Sequence, residues 1–447
     1  MKKLLIANRG EIAVRIIRAA KELGIPTVAV CSEADRESLH ARMADEVVEI
    51  GPASAAKSYL LVEAVLDAAR ASGADAIHPG YGFLSERASF AQAVVEAGMI
   101  WVGPDAASIS VMGDKAEAIR AARRAGVPTI PGSDGPVVDV EEALRVAEKA
   151  GYPVAVKAAA GGGGKGIRIV ESADMMREQL PIAQAEARAA FGNGDVYIER
   201  MVLGAKHIEV QVFGDGVNYV HLGERECSVQ RRRQKLIEET PAPLLPSDVR
   251  DAMCSASVGL AEAVGYRGAG TVEFLYEPQR NEFYFIEMNT RIQVEHPITE
   301  AVTGIDLVLE QLLVASGKPM SFTQKDVQSR GHAIEVRLNA ENPDLQFMPS
   351  PGLLETFTMP SGPFVRTDSG FIAGDTVPPF YDSLLAKIIV WGRNRDEAIA
   401  RMVRSLRELE VSGVVTTAAF LERVINTPEF RSGEYDTVFL ETWQATA

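Results

Sequence analysis

The first thirty residues alternate between short apolar runs and one amphipathic stretch. Leu4–Ala7 predicts a strand, residues 12–23 carry Ile, Ala and Leu at helical spacing, and Thr27–Cys31 predicts a second strand. Two parallel strands need a long crossover connection of this kind, usually a helix. Similar apolar runs, separated by helical stretches, follow at Val47–Ile50, Ala76–His78 and Met99–Val102. The opening of the chain therefore predicts an α/β unit in which helices cover a parallel sheet.

This predicted unit lacks the glycine fingerprint of dinucleotide-binding proteins. No G-x-G-x-x-G sequence follows the first strand. Nicotinamide binding therefore has only the fold class in its favour, and a fold class does not determine function.

Charge and composition exclude several classes of protein. The 447 residues are enough for two or three packed units, and 46 basic against 61 acidic side chains give a formal net charge of −15. We expect no nucleic-acid partner, because phosphates would be repelled over most of the surface. No apolar stretch approaches the ~20 residues that span a bilayer, and three scattered cysteines match neither a disulfide framework nor a zinc site. These features predict a cytoplasmic protein with no membrane partner.

The pattern changes after the first unit. A predicted helix at Lys115–Ala125 ends in Gly and Pro, and we place a boundary near residue 114. Strands and helices alternate over residues 152–212, and residues 220–289 are mostly β in pattern. The polar stretch 321–330 leads into a third unit with predicted strands at His332–Leu338, Gly352–Phe357 and Leu384–Val390 and a helix at Arg395–Leu409.

A run of glycines lies between two predicted strands. Val154–Lys157 enters the run and Ile167–Val170 leaves it. A Walker P-loop is excluded, because Lys165 is followed by Gly166 and a strand rather than by Ser or Thr and a helix. Backbone N–H groups at a glycine-rich hairpin tip can approach phosphate oxygens closely. A flexible hairpin loop explains the pattern equally well, and both interpretations stay open from spacing alone.

Carboxylates gather on a predicted hairpin formed by residues 270–276 and 282–289. Period-two alternation places Glu287 and Asn289 on one face, and a suitable register brings Glu273 beside them. Two carboxylates and an amide oxygen are ligands that suit Mg²⁺ bridging to phosphates. The alternative is a solvated sheet face.

An extended run is predicted directly after this hairpin. In it Arg291, Gln293 and Glu295 alternate to one side. A guanidinium, an amide and a carboxylate in line suit a small oxyanion that is both held and deprotonated. An ordinary charge ladder on an edge strand is the alternative. We interpret His296 and the other histidines as structural, because no second His or Cys stands at metal-binding spacing.

A further basic run extends from Arg225 to Lys235. It is either a solvated charge run or a set of groups that neutralise charge developing beside a phosphate. Cys227 lies within it and has no evident His partner, so we interpret it as an inert small side chain.

The chain as a whole resembles the biotin carboxylase family of ATP-grasp enzymes. In that family the protein is either the free subunit of acetyl-CoA carboxylase or the first part of a larger biotin-dependent carboxylase. Long matches in the right order make the resemblance specific; they are Ile6–Ala13, His78–Glu86, Met112–Lys115, the glycine run, Glu287–Pro297 and Tyr381–Ser383.

The resemblance implies an α/β and α+β protein of three parts. A Rossmann-like N-terminal domain would span residues 1–113 and an ATP-grasp domain 114–330, with the glycine run as a lid in a subdomain at about 131–203. A mixed α+β C-terminal domain would span 331–447. The implied reaction is the first half-reaction of an acyl-CoA carboxylase, in which ATP and bicarbonate form carboxyphosphate, which then carboxylates a ureido nitrogen of biotin on a carrier protein.

The resemblance also assigns residues. ATP would be contacted by Lys115, Lys157, Gly163, Gly164, Glu199, Val202, His207, Glu273 and Glu287. Mg²⁺ or Mn²⁺ would be held by Glu273, Glu287 and Asn289, the trio that spacing also indicates. Bicarbonate would be bound by Lys235, Arg291, Gln293, Val294 and Glu295, with Glu295 as the base. Biotin would meet Arg337, which would stabilise its enolate, and Tyr81.

Two positions depart from the family pattern. Ala160 stands where many members have Gly, and Arg233 stands where they often have a His near ATP. The rival interpretations are another ATP-grasp ligase, such as half of a carbamoyl phosphate synthase, and a non-catalytic scaffold for a carrier protein. The chain contains no Ala-Met-Lys-Met biotinylation sequence. The resemblance therefore implies a carrier that is separate or belongs to a longer chain, a carboxyltransferase component and a homodimer.

Overall fold

The computed structural model describes residues 1–158, 167–191 and 194–446. The first part is a parallel sheet in the strand order β3-β2-β1-β4-β5, as the opening βαβ pattern predicts. Apolar strand residues such as Leu5, Val28 and Ile77 are fully buried, so helices cover the sheet as expected. The elements are β1 (Leu4–Ile6), α1 (Gly10–Glu22), β2 (Thr27–Cys31), α2 (Leu39–Met43), β3 (Glu46–Glu49), α3 (Val62–Ser72), β4 (Ala76–His78), α4 (Ala88–Glu96) and β5 (Ile100–Trp101).

Three helices then lead into a small sheet with the strand order β7-β6-β8. Asp114 caps the second helix by accepting hydrogen bonds from the N–H groups of Ala116 and Glu117, which fixes Lys115 at the first helical position. A strand enters and a strand leaves the glycine run, as predicted, whereas Ala160, Gly163 and Gly164 lie outside the described residues. The elements are α5 (Ala106–Gly113), α6 (Lys115–Arg124), α7 (Val140–Ala150), β6 (Val154–Ala158), β7 (Ile167–Val170), α8 (Ala173–Phe191) and β8 (Val196–Arg200).

A large antiparallel sheet forms the centre of the molecule. Its strand order is β13-β12-β9-β10-β11-β14-β21-β19, and β11 pairs with β14 across residue 331, where the sequence predicts a domain boundary. The elements before this point are β9 (Lys206–Asp215), β10 (Tyr219–Arg231), β11 (Gln234–Thr240), α9 (Ser247–Ala263), β12 (Arg267–Glu277), β13 (Glu282–Asn289), α10 (His296–Thr303) and α11 (Leu307–Ala315).

The predicted strand Gly352–Phe357 is wrong, because the segment forms two short strands with different partners. The N–H of Leu354 donates to the carbonyl of Asp375, and the next N–H donates to the carbonyl of Ser412. The elements are β14 (His332–Asn339), β15 (Glu341–Asn342), β16 (Met348–Pro349), β17 (Gly352–Leu353), β18 (Thr356–Thr358), β19 (Val365–Ser369), β20 (Thr376–Val377), β21 (Leu384–Gly392), α12 (Arg395–Glu408), β22 (Glu410–Ser412), α13 (Ala418–Ile425), α14 (Pro428–Ser432) and α15 (Phe439–Thr446).

Within the described ranges, no helix has both the length and the apolar character needed to cross a membrane.

A buried ion cluster ties the first unit to the rest of the fold. Glu300 on α10 accepts from Arg15 on α1 at 3.0 Å and from Arg366 on β19 at 2.6 Å. Removing one partner of a buried ion pair leaves the other charges uncompensated, which is strongly destabilising.

We predict that Glu300→Ala lowers the free energy of unfolding by about 3 kcal/mol, because Arg15 and Arg366 lose their shared carboxylate. Urea denaturation measures this change. The matched control is Glu408→Ala, which removes a half-exposed ion pair with Arg404 and should cost less than about 1 kcal/mol. Equal losses in the two variants would contradict the structural role of the cluster.

Candidate active site

One large cleft gathers most of the residues that the sequence singles out. Its volume is about 1530 Å³, and it is lined by loops and the start of α1 in the first unit and by strands of the large sheet. The predicted site residues in its wall are Tyr81, Lys115, Lys157, Glu199, His207, Lys235, Glu273, Glu287, Asn289, Arg291, Gln293, Val294 and Arg337. Arg233 also lines the cleft, whereas Val202 does not and Glu295 is buried behind the wall.

The ammonium group of Lys235 lies in the wall of this cleft. This ammonium group donates hydrogen bonds to the carboxylates of Glu209 at 2.6 Å, Glu273 at 3.0 Å and Glu295 at 2.7 Å. Burial alone would lower the pKa of Lys235, but these carboxylates outweigh burial and raise the pKa well above its ordinary value. Lys235 is therefore a permanent cation that lets several buried carboxylates lie close together.

Glu295 does not lie on an extended run, and that prediction is wrong. The segment turns at Val294 and Glu295, and α10 begins at His296. The His296 ring N–H donates to the carbonyl of Gln293 at 2.7 Å, and Pro297 suits the first turn of a helix. This turn directs Glu295 into the protein, where it is fully buried.

The buried Glu295 carboxylate bridges two cations. One oxygen accepts from Lys235 and the other accepts from Nη2 of Arg337 at 3.0 Å. Burial alone would raise the pKa of Glu295, but Lys235 and Arg337 hold it well below its ordinary value. Glu295 is thus ionised and placed to receive a proton when one of its cations moves away.

Arg291 and Gln293 stay in the cleft wall and are tied to the neighbouring carboxylates. Arg291 donates to Glu86 at 2.8 Å, to the side-chain oxygen of Gln293 at 2.9 Å and to that of Asn289 at 3.1 Å. The amide nitrogen of Gln293 donates to Glu273 at 3.2 Å. The group forms a polar wall with a guanidinium suited to an oxyanion.

The predicted metal trio is brought together as expected. Glu273 on β12 lies directly opposite Glu287 on β13, and the Asn289 amide donates to Glu273 at 3.0 Å. Burial raises the pKa of Glu287, and the charge of Glu273 raises it further. A divalent cation would remove that repulsion, and carboxylate and amide oxygens are ligands for Mg²⁺ or Mn²⁺. The residues therefore fit the implied metal.

Sequence reasoning missed Glu209. It lies opposite Glu273 in the β9–β12 pair, and its ligand atoms lie within 4.8 Å of those of His207 and Glu273. His207 itself contacts Glu273 at 2.9 Å through Nε2. The period-two spacing of His207, Glu209 and Gln211 along a strand was the signal that could have identified Glu209.

The residues predicted to hold nucleotide lie on two separate parts of the wall. Lys157 on β6 forms an ion pair with Glu199 on the adjacent β8. Lys115 begins α6, where the Asp114 cap holds it at the cleft. Val202 is partly buried just beyond β8, and Gly163 and Gly164 are not among the described residues.

Arg337 on β14 is held by a second carboxylate that the sequence did not indicate. Its Nε donates to one oxygen of Glu238 at 2.7 Å, and its Nη2 lies 2.6 Å from the same oxygen. Burial raises the pKa of Glu238 to about 7, although the charge of Arg337 opposes the rise. Glu335, two residues before Arg337, is fully buried and burial raises its pKa well above its ordinary value.

A buried lysine supports the loop that carries Val294. Lys387 on β21 is fully buried and donates to the carbonyl of Val294 at 2.8 Å. Its ammonium also lies 3.1 Å from Glu11, which accepts a hydrogen bond from the Tyr81 hydroxyl. Through this chain of contacts the first unit and the last strands of the large sheet fix the position of Val294 and Tyr81.

Family models match three consecutive parts of the chain. Residues 1–109 match the biotin carboxylase N-terminal domain, 114–323 the ATP-binding domain of the carbamoyl-phosphate synthase L chain, and 335–442 the biotin carboxylase C-terminal domain.

Similar proteins extend over nearly the whole chain. It is 54% identical over 444 residues to biotin carboxylase 1 of Bacillus subtilis, covering 99% of each protein. It is 50% identical over 443 residues to a pyruvate carboxylase subunit of Methanothermobacter thermautotrophicus, covering 99% of this chain and 90% of that one. A solved biotin carboxylase domain of a thermophilic 2-oxoglutarate carboxylase, bound to ADP, has a TM-score of 0.94 and 47% identity, covering 99% of this chain and 98% of that one.

The fold and the cleft define a ligase of the ATP-grasp class, and the predicted three-part α/β and α+β architecture is confirmed. Matches to biotin carboxylases from end to end resolve the choice among ATP-grasp ligases. The chain belongs to the biotin carboxylase family, whose members carboxylate biotin with ATP, Mg²⁺ and bicarbonate.

We predict that Glu335→Gln gains thermal stability relative to the unchanged protein as the pH rises from about 5.5 to about 8. A carboxyl whose pKa is raised in the folded state contributes stability at low pH, and this contribution is lost as the pH rises towards the folded-state pKa. A neutral amide has no such dependence. Melting temperatures of both proteins across this range measure the effect, and a constant difference would show that Glu335 is already ionised.

Proposed function

We propose that this chain carboxylates a ureido nitrogen of biotin on a carrier protein, through carboxyphosphate made from ATP and bicarbonate. The observation that carries the proposal is the buried network in which Glu295 joins Lys235 to Arg337 at one end of the cleft. We assign the base to Glu295, the cation for the oxyanion to Lys235 and the cation for biotin to Arg337, and the contacts that connect the three support this assignment.

Bicarbonate would bind between the Arg291 guanidinium, the Gln293 amide and the backbone N–H of Val294. The ammonium of Lys235 would reach it from the opposite side. When Lys235 turns towards bicarbonate, Glu295 loses part of the attraction that keeps its pKa low and becomes a stronger base. Glu295 then takes the bicarbonate proton as a bicarbonate oxygen bonds to the terminal phosphorus of ATP and the bond to ADP breaks.

The nucleotide would lie along the wall formed by Lys115, Lys157 and His207. Glu199 and the backbone near Val202 would read the adenine, and the loop with Gly163 and Gly164 would cover the phosphates. Glu273, Glu287 and Asn289 would hold the metal, which neutralises phosphate charge when bound.

The second step would transfer the carboxyl group to biotin beside Arg337 and Tyr81. A bond forms between the ureido nitrogen and carbon, the carbon–oxygen bond to phosphate breaks, and the nitrogen's proton passes to the departing phosphate. Arg337 would stabilise the negative charge on the ureido oxygen as the nitrogen loses its proton.

The assembly around this chain is also a proposal. We place the biotin on a separate carrier protein or domain, with a carboxyltransferase component as the next partner and a homodimer as the working unit. A relative is named as part of a pyruvate carboxylase, and a solved domain of 46% identity is described as a dimer with MgADP and bicarbonate. Buried cysteines that form no disulfide within the described residues support a reducing compartment such as the cytoplasm.

We likewise propose three units at residues 1–113, 114–330 and 331–447, with the lid at about 131–203. The cleft draws side chains from all three, such as Tyr81, Lys235 and Arg337. A site built in this way requires the units to stay docked.

Oxygen isotope transfer tests the carboxyphosphate route. With ¹⁸O-labelled bicarbonate and unlabelled ATP, we predict that each phosphate released with carboxybiotin carries one ¹⁸O atom, because the bridging oxygen comes from bicarbonate and stays with phosphorus. Mass spectrometry of the phosphate measures the label. Unlabelled phosphate would show that water attacks ATP and that no carboxyphosphate forms.

Two substitutions should separate the two steps. Glu295→Gln should slow both ATP cleavage and biotin carboxylation by about 100-fold or more, because both need the bicarbonate proton removed, while Mg-ATP still binds. Arg337→Ala should slow biotin carboxylation at least about tenfold more than bicarbonate-dependent ATP cleavage. Steady-state rates and calorimetric ATP binding measure these effects. Full turnover by Glu295→Gln, or equal loss of both activities in Arg337→Ala, would contradict the assigned roles.

A further inference from the structure

Two buried carboxyl groups face each other behind Arg337. Glu238 on β11 pairs directly with Glu335 on β14, so both side chains lie on one face of the sheet. Both are fully buried, and among the described residues neither oxygen of Glu335 has a hydrogen-bond partner, nor does Oε2 of Glu238. Two carboxylates in such a place cannot both be ionised without a cation between them.

The position of Arg337 determines which of the two carries the charge. Its guanidinium donates through Nε to Glu238 and brings Nη2 within 2.6 Å of the same oxygen, whereas it makes no hydrogen bond to Glu335 in the ranges described. The other charged groups near Glu238 are Lys235 on its own strand and Glu295 before α10, and Lys387 on β21 lies near Glu335. Arg337 therefore stabilises negative charge on Glu238 rather than on Glu335.

The charge on the other partner of Arg337 changes during the reaction. Glu295 accepts from Nη2 of Arg337 at 3.0 Å while it is ionised. Once Glu295 has taken the bicarbonate proton, its attraction for Arg337 is largely lost. In the proposed mechanism, Arg337 stabilises the ureido oxygen of biotin in the step that follows protonation of Glu295. Another group therefore has to hold the guanidinium in place during that step.

We propose that Glu238 is a positioning residue that holds the Arg337 guanidinium in the cleft while Glu295 carries a proton. The proposal rests on the roles given above to Glu295 and Arg337. Glu238 touches neither substrate nor reacting atoms in this scheme, and it acts through Arg337. Glu335 beside it makes no hydrogen bond to Arg337 within the described residues, so it does not compete with Glu238 for the guanidinium.

The test compares two rates in Glu238→Gln, Glu238→Asp and the unchanged protein. One rate is carboxylation of free biotin with ATP and bicarbonate, and the other is bicarbonate-dependent ATP cleavage without biotin. Glu238→Gln should lower kcat for biotin carboxylation by about tenfold or more and ATP cleavage by no more than about threefold. Glu238→Asp keeps the charge and should recover part of the lost kcat.

The matched control is Glu226→Gln. Glu226 is also a buried glutamate, on the neighbouring strand β10, and it pairs at 3.2 Å with Lys206 outside the cleft. Its substitution removes a buried charge of the same kind and should leave the ratio of the two rates unchanged.

The outcomes separate this inference from the proposed function. If the unchanged protein forms no carboxybiotin, the proposed function fails. If it does and Glu238→Gln keeps the same ratio of rates, or loses both rates equally, the positioning role is overturned. If Glu238→Gln fails to fold, Glu238→Asp tests the positioning role in its place. Its shorter side chain should still lower the rate of biotin carboxylation more than the rate of ATP cleavage. An unchanged ratio of the two rates would overturn the positioning role.

Discussion

The active site depends on one ammonium group buried among carboxylates. Lys235 reaches Glu209, Glu273 and Glu295, which come from two strands and the turn before α10. Without a buried cation these acids would repel one another or take up protons, and the cleft could hold neither a metal ligand nor an ionised base. Lys235 thus stabilises the fold of the site and is also placed to release Glu295 when it turns towards an anion.

Continuity of the large sheet extends this network to Arg337, where we propose that biotin binds. Pairing of β11 with β14 puts Glu238 beside Arg337, and Arg337 returns to Glu295. On β21, opposite Arg337, the buried Lys387 fixes the carbonyl of Val294. In the proposed mechanism, buried charges therefore link ATP cleavage to biotin carboxylation.

The spacing of apolar and polar residues within short segments predicted the structural features that depend on residues close together in the sequence. The opening βαβ unit, the strands around the glycine run and the face shared by Glu273, Glu287 and Asn289 follow from periodicity within short segments. The extended run through Glu295 was wrong, because the chain turns at Val294 and Glu295 and α10 begins at His296, with Pro297 in its first turn. Arg337 and Tyr81 could be assigned only through resemblance to the family.

Partners brought together by long-range register could not be predicted. Glu209 faces Glu273, and Glu238 faces Glu335, only because strands distant in sequence pair in one particular register. The pairing register of two strands that are distant in sequence cannot be predicted from a short segment of either strand. The sequence around Lys387 predicts only that it lies on a strand. Its position opposite Arg337 follows from the pairing of β21 with β14.

The most direct test of the proposed function is to measure ADP release by the purified protein with Mg-ATP. Bicarbonate is present or absent, and free biotin is present or absent. If one cleft couples ATP cleavage to biotin carboxylation, ADP release requires bicarbonate, increases with biotin and is accompanied by carboxybiotin. ATP turnover that is indifferent to biotin and yields no carboxybiotin would contradict the account.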